Sequence, residues 1–325
     1  MKLSRITALL ACSAWFALSG CEDTLDKMDL SASTEDVVFQ DEAFATLNLS
    51  YIYDQNLPVW FGQTGIGLGN TNPSILSDEV QGESVFLEGT VQVNTVTDFG
   101  TSLDGKNNYG KIRTINMFLR ALDRSPLTKE VKDRLRSQAL FFRAWRYFDL
   151  VRIYGGVPLV LTPLEAVGVE ARAAAYLPRN TSTETFSRIV ADLDTAITYL
   201  PGKWTNSSVD WGRIHKGGAA AFKARVLLYA ASPQFNPSDD VSKWQAAFAA
   251  SQQAKTLLSA NGFGLHTSFD QLWFEEVNNR EAVMVTSFNT ATADQLKKSN
   301  TYDNTTRPAY TGTGAARPTS PPGSW

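Results

Sequence analysis

The stretch from Arg136 to Val160, RSQALFFRAWRYFDLVRIYGGVPLV, constrains the fold more than any other part of the chain. At helical spacing Leu140, Ala144, Phe148 and Val151 form one apolar line, and Phe141 and Trp145 widen it beyond a single stripe. A helix this apolar has to be packed on at least two sides. Arg146 and Arg152 lie three residues to either side of Asp149, so the carboxylate can pair with either guanidinium. Gly155 and Gly156 suit a left-handed C-cap, and Pro158 stops the helix from resuming. Val157 to Leu161 then reads as a short extended apolar piece.

The start of the chain concerns export. Lys2 and Arg5 precede an apolar run from Ile6 to Leu18, and Leu18-Ser19-Gly20 leads into Cys21. This is the layout of a secretory signal peptide, with a run shorter than the ~20 apolar residues of a membrane-spanning helix. The approach to Cys21 resembles a bacterial lipobox, which implies that residues 1–20 are removed and that Cys21 becomes a lipidated N-terminus. Residues 21–33 are polar and read as a tether. Glu22 and Asp23 resemble a surface-export signal, so the anchor is expected to face outward from the outer membrane. Cys12 falls in the removed segment, and Cys21 alone can form no internal disulfide.

Composition excludes some functions. The net charge is −3 with a pI near 5.6, and no basic run occurs, which argues against a nucleic-acid partner. The chain has 8 Trp, 10 Tyr and 18 Phe but only 2 His, so it offers many flat faces and few groups for proton transfer or metal binding. His215 and His266 are isolated, and no metal or other cofactor is expected. The glycines from Gly62 to Gly69 lack the spacing of a dinucleotide fingerprint, and no Gly-x-Ser-x-Gly elbow is present. Acidic pairs at Asp192/Asp194, Asp239/Asp240 and Glu275/Glu276 could in principle serve a glycoside hydrolase. The first is expected on a solvated helix surface and the others at helix or loop edges.

In chain order, helices dominate. Thr34 followed by Glu35 and Asp36 suggests a helix start running to about Tyr53, with Val38, Ala43, Leu47 and Tyr51 or Ile52 inward. From Gln55 to Gly105, Gly and Pro recur among Trp60, Phe61, Phe86 and Phe99, and this long loop region is a functional candidate. Helices follow from about Gly105 to Arg124 and from about Thr128, making a hairpin. Leu164 to Thr183 reads as loop with an alanine-rich patch around Ala173. The next helix, from Thr183 to about Leu200, carries Phe186, Val190, Leu193 and Ile197 on one line. Arg213 to Ala231 is helical with clustered alanines, and Val241 to Ala260 is expected to turn Trp244, Ala247, Phe248, Ala254 and Leu257 inward. Trp204, Trp211 and Trp273 flank helices as core or rim, and Glu281 to Phe288 reads as a strand. The expected fold is therefore mainly α, of tetratricopeptide-like helical hairpins with long loops and a few short strands.

The order of short motifs carries a family resemblance. Thr24-Leu-Asp-Lys27, Glu35-Asp-Val37, Ser77-Asp-Glu79, Tyr109-Gly-Lys-Ile112 and Asn116 come first. Gln138-Ala-Leu-Phe-Phe-Arg-Ala-Trp-Arg-Tyr-Phe-Asp-Leu150 and Tyr154-Gly-Gly-Val-Pro-Leu159 follow, then Lys216-Gly-Gly-Ala219 and Lys223-Ala-Arg-Val-Leu-Leu-Tyr-Ala-Ala-Ser-Pro233 with Asn236. This succession resembles the SusD/RagB family of outer-membrane nutrient-uptake lipoproteins, from Cys21 to about Thr319. The resemblance implies a non-catalytic, lipid-anchored lid over a SusC-like TonB-dependent transporter, holding an oligosaccharide, or in some members a peptide, at the cell surface. Position relative to the family's ligand loops nominates Asp78, Phe86, Asn94 and Phe99, with Tyr302 and Tyr310 further on. The alternatives are a surface lipoprotein glycoside hydrolase and a helical-repeat adaptor with protein partners alone. The SusD-like domain is expected over 34–325. After Thr319 the chain departs from the family pattern, ending in Ser-Pro-Pro-Gly-Ser-Trp, so a C-terminal part is expected to be missing through truncation or a frameshift.

Overall fold

The computed structural model describes residues 38–57, 89, 90, 92, 107–165, 167–275 and 277–286. The chain divides after Val38; that first unit lies outside the described residues except for Val38, and the second, from Phe39, holds all the elements below. In order these are α1 (Glu42–Asn56), α2 (Asn108–Arg124), α3 (Lys129–Tyr154), α4 (Val169–Ala174), α5 (Ser182–Tyr199), α6 (Ser207–Asp210), α7 (Lys216–Ala231), α8 (Val241–Ala260) and α9 (Phe269–Leu272). No strand occurs among the described residues.

Local chemistry sets the helix starts. The side chains of Asp41, Asn107, Thr128 and Asp240 each accept a hydrogen bond from a backbone N–H of the first turn, meeting a donor the helix itself leaves over. Thr181 and Glu184 form a reciprocal capping box at α5, two residues before the expected start. Helix α3 ends where its sequence says it should, with Gly155 at φ 72° and its N–H donating to Val151 O at 2.9 Å.

The long helices stack in series. Helix α2 packs on α3, α3 on α5, α5 on α7 and α7 on α8, while α1 lies on both α2 and α3. Helix α3 is central and is buried almost all round beyond Ser137, as its apolar breadth requires. Phe141, Trp145 and Phe148 meet Phe222 of α7 at centroid distances of 5.5, 4.8 and 5.4 Å. Burying a side chain of this size contributes about 1.5–3 kcal/mol. The α7–α8 contact depends on small residues: a Cβ on Gly217 would lie 2.5 Å from Leu258 Cδ2, and Ala219, Ala220 and Ala224 are buried with Ala247, Ala250 and Ala254 opposite.

Several facing expectations are corrected. Helix α1 buries Ala45, Leu49, Ile52, Tyr53 and Asn56; Ala43, Leu47 and Tyr51, expected inward, are exposed, as is Phe44. Helix α8 buries three of its alanines, Ala247, Ala250 and Ala254, and leaves Trp244 and Phe248 outward. Both helices are apolar on more than one side, and packing selects the face that lets backbones approach most closely. On α5 the buried line is Phe186, Ile189, Leu193 and Ala196, with Val190 and Ile197 at its margin. The alanine-rich loop forms the one short helix α4. Residues Glu281–Thr286 are irregular, because their backbone is engaged elsewhere: Ala282 N–H donates to Asn279, and Val283 O meets His215.

Gly156 closes the bend after α3. A Cβ there would sit 1.9 Å from Asn180 O and 2.7 Å from Thr181 C, both backbone atoms that cannot swing aside. Gly156→Ala is therefore expected to destabilise the protein by about 2 kcal/mol or more, since relief requires moving the α5 N-terminus. A denaturation midpoint equal to that of the parent would refute this.

Candidate functional site

The functional interest of the stack lies in how it holds the connections between helices. The extended piece after α3 has no neighbouring strand among the described residues, yet its polar backbone is paired by side chains. Tyr109 donates to Pro158 O at 3.0 Å, and Asn180 Oδ1 accepts from Leu159 N–H at 3.1 Å. The Tyr147 hydroxyl both donates to Val160 O and accepts from Val160 N–H, at 2.9 and 2.7 Å. Asn116 donates to Val160 O, Arg143 to Leu161 O and Arg113 to Leu164 O. A backbone without a ladder still has to satisfy its donors and acceptors, and here polar residues on α2 and α3, with Asn180 just before α5, do so. Burial raises both tyrosine pKa values, that of Tyr109 to about 12, so both hydroxyls stay protonated and able to donate.

Arg143 is the hub of this arrangement. It is 5 % exposed, and its Nε and Nη2 meet both oxygens of the fully buried Asp192 on α5 at 2.8 and 2.9 Å. Its Nη1 reaches Asn116 Oδ1 on α2 at 3.0 Å. Arg188 also pairs with Asp192. One guanidinium thus links α2, α3, α5 and the extended piece through a planar fork that lysine does not have. The expectation that Asp192 is a solvated surface acid is overturned, because its partner lies far away in sequence on a neighbouring helix.

Arg146, one turn further along α3, grips the two ends of the 58–106 segment. Its Nη2 donates to Asn56 O at 2.9 Å, where α1 ends, and its Nη1 to Asn108 Oδ1 at 3.3 Å, where α2 begins. Asp149 supports it at 3.3 Å and also pairs with Arg152 at 3.2 Å, as the spacing predicted. Burial lowers the Arg146 pKa, although a guanidinium remains charged. A second buried group holds the other end of the described chain. His215 caps α7 by accepting from Gly218 N–H at 3.4 Å, lies 3.1 Å from Val283 O and stacks on Phe263 with centroids 4.4 Å apart. Burial lowers its pKa, and the neutral tautomer with hydrogen on Nε2 satisfies both contacts.

The residues nominated for ligand contact, Asp78, Phe86, Asn94, Phe99, Tyr302 and Tyr310, lie outside the described residues, as does Cys21. The structure shows the roots of their segments and no site formed by them. Trp204 and Trp211 are half-buried, whereas Trp273 is 71 % exposed. Sequence reasoning passed over Arg143, Asn56 and Asn108. A signal existed for the first: an arginine inside an aromatic helix run must find a partner when the helix is buried.

Other chemistry finds little support in the geometry. Asp194 pairs with Lys223, Asp239 accepts from Trp244 Nε1, Asp240 caps α8, and Glu275 pairs with His266 at 3.0 Å. No cluster of three potential metal ligands occurs among the described residues, and no described helix is long and apolar enough to cross a membrane.

Comparison with known proteins agrees with the fold. Residues 71–228 match a SusD-like family described as starch-binding, associating with outer membrane. A SusD homolog from Bacteroides thetaiotaomicron aligns at 20 % identity over 81 % of this chain and 50 % of its own, with a TM-score of 0.60. A SusD-like carbohydrate-binding protein from Bacteroides fragilis aligns at 19 % identity over 78 % and 47 %, with a TM-score of 0.58. A second SusD-like protein from Bacteroides fragilis aligns at 23 % identity over 71 % and 40 %, with a TM-score of 0.51. The chain thus spans half or less of the length of each of these structures. A comparison with curated protein sequences gave no match. The family match across α2, α3, α5 and most of α7 and the shared helical fold agree: residues 71–228 match the SusD-like family, and the described helices have a SusD-like fold.

Proposed function

We propose that the protein captures a glycan at the cell surface and passes it to a SusC-like TonB-dependent transporter in the outer membrane. The observation that carries this reading is the match of residues 71–228 to a family described as starch-binding and associated with the outer membrane. Capture proceeds without bond cleavage. In keeping with this, Asp192, Asp194, Asp239 and Asp240 are each engaged by a neighbouring group rather than set across an open sugar site. Lipidation at Cys21 is the proposed anchor, holding the folded part at the bilayer through buried methylenes.

Ligand contacts are assigned to Asp78, Phe86, Asn94, Phe99, Tyr302 and Tyr310. Aromatic rings supply flat faces for sugar C–H groups, and Asp and Asn meet hydroxyls. The scaffold supports this reading by fixing both segment roots with buried side chains, Arg146 and His215. Titration of the full chain with soluble starch, laminarin, xylan and mannan tests it. Phe99→Ala is expected to weaken the bound polysaccharide about tenfold, the loss of one stacking ring. Unchanged affinity would remove Phe99 from the site, and release of shorter sugars would instead indicate a hydrolase.

A further inference from the structure

A second place on the described surface combines the same chemistry. An open groove of about 700 Å³ runs between the first turns of α3 and the loop after α5, a size within the usual range for small-molecule sites. It is lined by Lys129, Glu130, Asp133 and Arg134 of α3 and by Tyr199, Leu200, Pro201, Lys203, Trp204 and Thr205 at and after the end of α5. Trp204 is fixed before any ligand arrives, because its Nε1–H donates to Ile214 O at 3.1 Å. It also lines a small, partly open cavity of about 30 Å³ together with Trp211, His215 and Phe263, so both spaces share it. Tyr199 is 46 % exposed, with Lys129 Nζ 5.2 Å from its ring centroid.

Arg134 is paired with Glu42 and Asp133 with Lys129 and Arg136, but other polar groups of the groove are available for a ligand. The side chains of Glu130, Lys203 and Thr205 make no hydrogen bond to another described residue. Lys129 pairs with Asp133, but its side chain is 81 % exposed, and such a surface pair yields at little cost, which would uncover the Tyr199 ring. The lining mixes three cationic groups, Lys129, Arg134 and Lys203, with two anionic ones, Glu130 and Asp133, so no large single-sign field selects a charged ligand. Flat aromatic faces beside both donors and acceptors suit a neutral polyol with alternating C–H and hydroxyl surfaces.

We infer that the groove between α3 and the α5–α6 connection is an auxiliary glycan-binding site, which holds another stretch of the polysaccharide captured by the loops. The inference rests on the proposed glycan-binding function. The test uses the full chain, its Phe99→Ala form, and Tyr199→Ala and Lys203→Ala separately, with soluble starch, laminarin, xylan and mannan as probes. Lys203 is exposed, so its replacement leaves the fold intact even if Tyr199→Ala disturbs it. Retardation in polysaccharide gels is expected to fall about fivefold in each groove variant. Hydrogen exchange over residues 199–205 is expected to slow on adding the retained polysaccharide, in Phe99→Ala as in the parent. Retardation of the parent with no slowing at 199–205 and no loss in Lys203→Ala overturns the groove and leaves the loop reading standing. If no probe retards the parent, the glycan reading itself fails and the groove falls with it.

Discussion

Asp192→Ala is expected to destabilise the stack by about 3–5 kcal/mol, the usual consequence of removing one partner from a buried ion pair. The carboxylate has no exposed surface and receives both Nε and Nη2 of Arg143. With it gone, a guanidinium that is 5 % exposed keeps only Asn116 Oδ1 and Leu161 O as acceptors. Such a loss is a large fraction of the 5–15 kcal/mol that typically holds a domain together. Chemical denaturation of Asp192→Ala, Arg143→Met and the double variant would measure it. The double variant is expected to recover part of the loss, because the buried Arg143 charge is then no longer stranded, although Arg188 still loses its partner. Recovery stays incomplete, since Asn116 and Leu161 O lose their donor in either background. A cost below 1 kcal/mol for Asp192→Ala would contradict the buried pair.

The sequence conveyed the fold where the determining contacts are local. The end of α3 was readable because Gly155, Gly156 and Pro158 act within a few residues of one another, and the Asp149 pairs were readable because Arg146 and Arg152 stand one helical turn away. The inward faces of α1 and α8 were readable only in part, at Ile52, Ala247 and Ala254. Phe44, Leu47 and Tyr51 on one helix, and Trp244 and Phe248 on the other, are as apolar as the residues that became buried. A pattern can show that a face is apolar, but which face is covered depends on partners elsewhere in the chain. Asp192 was misread for the same reason: its role is set by Arg143 on a different helix. The ligand contacts were nominated by family position alone, because loops carry no periodicity that would reveal which side chains converge.

Arg146→Met is expected to impair ligand capture more than it impairs the helical stack. Methionine fills much of the space and keeps α3 helical, but it leaves Asn56 O and Asn108 Oδ1 without the donor that joins them. Each buried acceptor left unsatisfied costs about 1–3 kcal/mol, and that cost falls on the end of α1 and the start of α2 rather than on the α3–α5–α7 core. Asp149 keeps Arg152 as a partner, which limits the damage along α3. Hydrogen exchange is therefore expected to accelerate at the roots, residues 52–57 and 107–112, with residues 137–151 little changed. If the 58–106 segment carries ligand contacts as proposed, separating its ends weakens polysaccharide binding by tenfold or more, through lost preorganisation. Arg146→Lys sharpens the test: it keeps the charge, but a single ammonium cannot match the guanidinium fork that spans both acceptors, so affinity is expected to recover only in part. Root exchange that accelerates while polysaccharide affinity stays at the parent value would separate the two roles, leaving Arg146 a structural clamp and moving the ligand contacts away from this segment.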